Sequence, residues 1–167
     1  MTRILVAFGS KRGGTAGLAA MIADALTEAG HDVDMSAARD VTTVEGFDAV
    51  IVAGALYASR WHRDARRFVR RHRDALSRLP VWLVSSGPLD DSATQRDIPA
   101  TSQLQKLVAR VDARGHVTFG GTLSPDAAGF PARQMAKTRA GDWRDPAHVR
   151  RWVRSILGQL DAAGRAR

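Results

Sequence analysis

The chain repeats one alternation: a short apolar run, a turn of small or polar residues, then apolar positions at helical spacing. Ile4-Leu5-Val6-Ala7-Phe8 is the first run and reads as a buried strand. Leu18, Met21, Ile22, Ala25 and Leu26 follow on one helical face, and Ala29-Gly30 supplies the stop. Residues 31–35 read as a short edge strand and 48–53 as a buried one. Further along, the pattern predicts a helix over 61–77, a strand over 81–85, a helix over 98–113 and a fifth strand over 116–121. Asp145-Pro146, a good N-cap followed by a good first helical residue, opens a last helix that ends near Leu160. Strands alternating with helices predict a doubly wound α/β domain, a parallel sheet with helices on both faces. Five strands with a small-residue turn after the first give the order 2-1-3-4-5, whose ligand crevice lies between the first and third strands. One domain over residues 1–163 is expected, with a frayed tail at 164–167 and fraying reaching back to Asp161.

The turn after the first strand carries the chemistry. Its N–H groups and the positive end of the following helix converge on one spot, a natural seat for a phosphate monoester. Ser10 and Thr15 add hydroxyls, Lys11 and Arg12 add charge, and Gly13, Gly14 and Ala16 let a ligand approach the backbone. A nucleoside-triphosphate loop is excluded, because Thr15-Ala16 stands where that motif needs lysine and a hydroxyl residue. The dinucleotide pattern G-x-G-x-x-G is absent too. The competing reading is a glycine-rich turn without a ligand. Ser10-x-Arg12-Gly13-x-Thr15 resembles the T-x-T-G-x-T loop with which flavodoxins hold the phosphate of FMN. That resemblance implies a flavodoxin-like fold and FMN, with a deazaflavin as the alternative. Arg12 stands where those proteins have threonine, which exchanges a hydroxyl contact for a charge-assisted one.

Composition removes several classes of chemistry. With no cysteine in 167 residues, disulfides, thiolate metal sites and cysteine nucleophiles are excluded. The five histidines lack metal-ligand spacing, so no metal is expected. Met1-Thr2-Arg3 runs straight into the first strand and no apolar stretch nears the roughly 20 residues of a membrane span, so a cytoplasmic protein, at most peripheral to a membrane, is expected. The net charge of +8 favours anionic partners. Lys11, Lys106 and Lys137 are the only lysines; arginine dominates alongside abundant alanine, a compositional bias that argues against specific nucleic-acid contacts.

A ligand at the switch point must also meet the loops after the third and fourth strands. The first of these, residues 54–62, holds Tyr57, the only tyrosine, together with Trp61. A flavin ring needs flat apolar flanks and backbone hydrogen bonds, which Ala55, Leu56, Tyr57, Ala58, Ser86, Gly87 and Leu89 can supply. Alternatively Tyr57 and Trp61 anchor the loop on the core. The run from Ala53 to His62, continuing to Phe68-Val69-Arg70-Arg71-His72, is similar to menaquinone-dependent protoporphyrinogen IX dehydrogenases, which carry G-A-x-I-x-Y-x-x-x-H before F-V-K-K-H. Gly120-Gly121-Thr122-Leu123 and Gly141-Asp142-Trp143 resemble that family's A-G-A-L and T-D-W. Two departures leave the porphyrinogen substrate open. The family's long basic-apolar insert, implicated in membrane and quinone contact, shrinks to residues 124–140, keeping Phe130-Pro131 and a basic piece over 133–137. Residues 88–92 replace a more basic loop.

Arg60, Arg63, Arg66, Arg67, Arg70, Arg71 and Arg73 crowd the helix that begins at the proposed flavin edge. A solvated face balanced by Asp64 and Asp74 is the plain alternative. Three functions stand: an FMN oxidoreductase acting on a small anionic or quinone-like substrate, porphyrinogen included; an electron-transfer flavodoxin docking an acidic redox partner; and a non-enzymatic basic flavodoxin-fold binding module. His62 is the candidate for acting on substrate, although the flavin would carry the redox chemistry.

Overall fold

The computed structural model describes residues 1–11, 13–123 and 140–166. Strands β1 (Arg3–Gly9), β2 (Asp32–Ala37) and β3 (Ala49–Tyr57) are followed by the two-residue β4 (Arg60–Trp61), then β5 (Val81–Ser86) and β6 (Gly115–Phe119). The parallel order is β2-β1-β3-β5-β6, with β4 folded back antiparallel on β3. Leaving out that hairpin strand, this is the 2-1-3-4-5 order expected from the sequence. A separate antiparallel pair, β7 (Thr122–Leu123) and β8 (Gly141–Asp142), follows the fifth long strand.

Central strands buried on both faces explain the unbroken apolar runs. Ile4 and Val6 of β1, Ile51 and Ala53 of β3, and Val84 of β5 face one layer. That layer contains Leu18, Ile22 and Leu26 of α1 (Gly14–Glu28) and Val149, Val153 and Ile156 of the last helix, α6 (Pro146–Arg165). Leu5, Val50, Val52 and Leu83 face the other layer, against Phe68 and Val69 of α2 (Arg63–Arg71) and Leu104 and Leu107 of α5 (Ser102–Val111). Fully burying each such aliphatic or phenyl side chain stabilises the fold by about 1.5–3 kcal/mol. Gly30 stops α1 in the left-handed region at φ 90°, as its position after Ala29 suggested.

Four expectations are corrected. Trp61 is not helical: the chain turns at Ala58 and Ser59, both at positive φ (47° and 64°), so that Trp61 pairs with Leu56. The helix starts at Arg63 and breaks at His72 into α2 and the short α3 (Arg73–Leu76). The helix expected over 98–113 is shorter: Thr101 caps α5 by accepting the Leu104 N–H, so residues 98–101 are extended or irregular, and a one-turn α4 (Ser92–Gln95) precedes them. The last helix does not end near Leu160 but continues through Arg165. Arg12, Phe130-Pro131 and the basic piece at 133–137 lie outside the described residues.

Candidate functional site

Strand register brings three loop mouths to one level. Gly9 at the end of β1 pairs with Gly54 of β3, Gly54 pairs with Ser85 of β5, and Ser86 pairs with Phe119 of β6. The phosphate-type turn after β1 therefore opens beside residues 55–58 and 86–89 at the carboxyl edge of the sheet, where doubly wound folds bind ligands.

The turn is built around glycine. Gly13 holds φ 79° as the N-cap of α1, makes no side-chain cap hydrogen bond, and leaves the first turn without an acidic residue. The first intrahelical amide bond starts later, from the Gly17 N–H to the Gly13 carbonyl at 3.0 Å. The N–H groups of Gly14, Thr15 and Ala16 thus have no intrahelical acceptor. Ser10 Oγ accepts from the Gly13 N–H at 3.0 Å, which fixes the turn, and a hydroxyl that accepts in this way can still donate its hydrogen. Lys11 is exposed at the rim, and Thr15 is buried, with 2% of its surface exposed. An uncapped, cation-flanked helix start with a left-handed glycine fits a phosphate group.

The other two loops differ in what they offer. Ala55 and Ser86 are buried, and the Ala55 carbonyl already accepts the His62 N–H at 2.8 Å. Leu56, Gly87 and Leu89 are half-buried, while Ala58 and Tyr57 are exposed, Tyr57 at 40%. Trp61 resolves the other way. It is 1% exposed, its indole N–H donates to the Val84 carbonyl at 3.2 Å, and its ring lies against Gly54, where a side chain would collide with it. Trp61 is core.

His62 caps α2: its Nδ1 accepts from the Asp64 N–H at 3.2 Å, so the neutral ring carries its hydrogen on Nε2. Burial first, then Arg63, Arg66 and Lys11, hold its pKa below the ordinary value against the opposing pull of Asp64. The ring stands over Gly9, where a Cβ would lie 2.8 Å from Nδ1. Within the arginine helix Arg66 has a structural task, donating from Nε to the Trp61 carbonyl at 3.0 Å. Burial and then Arg60, Arg70, Arg67 and Arg63 press its pKa down. Arg63, Arg67, Arg70 and Arg71 are exposed.

Sequence reasoning missed the hairpin that closes the site. Thr122 packs its methyl on Gly14, where a Cβ would come to 2.8 Å, and donates from Oγ1 to the Gly141 carbonyl at 3.1 Å. Arg144 forks onto Asp142 (Nη2 to Oδ2 2.7 Å, Nε to Oδ1 2.9 Å) and donates from Nη1 to the Gly14 carbonyl at 3.4 Å. That pairing drives the Asp142 carboxyl down and the Arg144 guanidinium up from their ordinary values. Glycines at positions 14 and 17, one turn apart on α1, were the available signal. Among the described residues no group of side chains could hold a metal ion, and no helix is long and apolar enough to cross a membrane.

Residues 5–141 match the family described as the flavodoxin domain. Among curated proteins none matches the sequence significantly. Among solved structures, a cysteine-to-serine mutant of a flavodoxin from Pseudomonas aeruginosa superposes with a TM-score of 0.59 at 14% identity, covering 95% of this chain and 99% of that one. A Fusobacterium nucleatum flavodoxin mutant bound to flavin mononucleotide gives 0.55 at 15% identity, covering 95% and 97%. The rubredoxin:oxygen oxidoreductase of Desulfovibrio gigas gives 0.57 at 10% identity, covering 94% of this chain but 37% of that one. At these identities the likeness is one of fold.

Proposed function

We propose an FMN-dependent redox role, from the premise that the chain belongs to the flavodoxin domain family. The observation that carries it is the uncapped, glycine-seated start of α1, in register with the loops after β3 and β5. The N–H groups of Gly14, Thr15 and Ala16, which have no intrahelical acceptor, the Ser10 hydroxyl and the Lys11 charge would hold the phosphate; the sequence offers Arg12, outside the described residues, as a further contact. Residues 55–58 and 86–89 would flank the ring, with Tyr57 as its aromatic face and Leu56 and Leu89 excluding water. FMN, when bound, supplies one- or two-electron transfer. Ala55 and Ser86, being buried, would contribute backbone groups and shape. His62 orients the start of α2 through its Nδ1 and retains an N–H at Nε2 as a donor, which makes it a poor proton acceptor at neutral pH.

The exposed arginines of α2 follow the proposed flavin edge directly after β4, so an anionic substrate or an acidic redox partner would be drawn to that edge, where a quinone-like substrate could also approach. A cytoplasmic protein, at most peripheral to a membrane, fits this reading. Porphyrinogen oxidation is a narrower version, favoured by the His62, Phe68, Val69 and His72 spacing and by Gly141-Asp142-Trp143. The test is to load the protein with FMN, reduce it with light and mix it with a quinone or with an oxidised acidic redox protein, and separately to mix the oxidised FMN-loaded protein with a porphyrinogen, which gives up electrons to the flavin. Electron exchange faster than that of free FMN supports the reading, and with the acidic partner the rate should fall as salt rises. Rates equal to free FMN with all three would remove it. Mass analysis of the released cofactor separates FMN from a deazaflavin.

A further inference from the structure

We infer that Arg144 is the positioning residue that makes the α1 turn select a phosphorylated flavin over an unphosphorylated one; this rests on the FMN reading above. Arg144 comes from the far end of the chain, yet only 18% of its side chain is exposed. Asp142 grips it three times: through the backbone N–H at 3.0 Å, through Nε at 2.9 Å and through Nη2 at 2.7 Å. The fork leaves Nη1 as the outward donor, aimed at the Gly14 carbonyl. Gly17 makes the approach possible, since a side chain there would collide with the same Nη1.

The Gly14 carbonyl and the Thr15 N–H belong to one peptide plane. In a trans peptide these groups point in opposite directions, so a donor fixed on the carbonyl also fixes where the N–H points. Arg144 holds the carbonyl, and the Thr15 N–H is thereby held toward the open end of α1, where a phosphate would sit. Hydrogen bonds in series polarise one another, so a guanidinium on the carbonyl strengthens the N–H as a donor to an anion. Asp142 meanwhile offsets the charge of Arg144 beside the turn that carries Lys11. Thr122 adds a second hold, because its methyl rests on Gly14 from the same hairpin. A ribityl chain without phosphate places no anion at this N–H and gains nothing from its orientation.

The experiment titrates FMN and riboflavin into apo wild type and into Arg144→Gln, Arg144→Lys and Asp142→Asn, reading the ratio of the two dissociation constants. Arg144→Gln should weaken FMN severalfold, by leaving the Thr15 N–H a less well aimed and less polarised donor, while riboflavin binding holds within about twofold. Arg144→Lys should recover part of the ratio. Asp142→Asn, which keeps the guanidinium but loosens its fork, should shift the ratio in the same direction by less, and it serves if the glutamine variant does not fold. Parallel weakening of both flavins would make Arg144 a plain structural anchor and overturn the inference, as would an unchanged ratio. A wild type that binds FMN without preferring it to riboflavin overturns it as well. A wild type that binds neither flavin defeats the FMN reading itself, and the inference with it.

Discussion

The Nε2 of His116 on the edge strand β6 and the hydroxyl of Ser85 on its neighbour β5 lie 2.8 Å apart. Burial pushes the His116 imidazole from its ordinary 6.5 down to about 4, so the ring is neutral in the folded protein near pH 7. The unfolded chain therefore takes up this proton first as pH falls. The stability it provides is fully present above about pH 6.5 and is lost between there and pH 4. The loss is at most about 3 kcal/mol, and less to the extent that solvent reaches the half-buried ring. Denaturant unfolding across that window should show His116→Gln with a flatter pH profile than wild type. An unchanged profile would mean that another group governs acid unfolding; His62, His72 and His148, all held below their ordinary values chiefly by burial, are the alternatives.

Trp61 and Tyr57, four residues apart, should respond oppositely. Trp61→Ala should lower stability by about 3–5 kcal/mol, the range for a buried tryptophan. Gly54→Ala should be destabilising as well, since its Cβ would strike the same indole. Tyr57→Ala should cost less stability than Trp61→Ala, because Tyr57 is 40% exposed and Trp61 1%, and should weaken flavin binding. Thermal melts with and without FMN check all three. Equal stability losses at Tyr57 and Trp61 would put Tyr57 in the core.

How far the sequence could be read depends on what each residue answers to. Strand runs and the order of the sheet were legible because buried parallel strands must be apolar throughout. The cap at Asp145-Pro146 was legible because its chemistry is local. Trp61 was misread as helical because the residues after it carry helical spacing, whereas its own conformation is decided by a space above Gly54 that exists only once β3 and β5 are paired. The extension of α6 to Arg165 was missed because its last turns are rich in small and polar residues with no apolar period to follow. Arg144 was invisible for a similar reason: its partner carbonyl at Gly14 lies 130 positions away in the chain.

The arginines of α2 should separate into two groups. Arg63→Gln, Arg67→Gln and Arg70→Gln together should flatten the salt dependence of electron exchange with an anionic acceptor, because their field is screened over about 8 Å at physiological ionic strength. FMN binding should be unaffected. Arg66→Gln should instead cost about 1 kcal/mol of stability by releasing the Trp61 carbonyl. Stopped-flow rates over a salt series decide the first point and chemical denaturation the second. A triple variant with the wild-type salt profile would leave the helix as solvated surface.

The central claim is that the start of α1 holds the phosphate of FMN, and equilibrium titration of FMN fluorescence tests it most directly. Wild-type apoprotein should quench the flavin saturably with one site per chain. Ser10→Ala should weaken binding by about 1.5–3 kcal/mol, the range for a hydrogen bond to a charged group, since it removes a hydroxyl donor and releases the Gly13 N–H. Gly13→Ala should weaken it as well, because φ 79° is strained for any residue with a Cβ. Saturable quenching that neither substitution alters, or no saturable quenching by the wild type, would contradict the account.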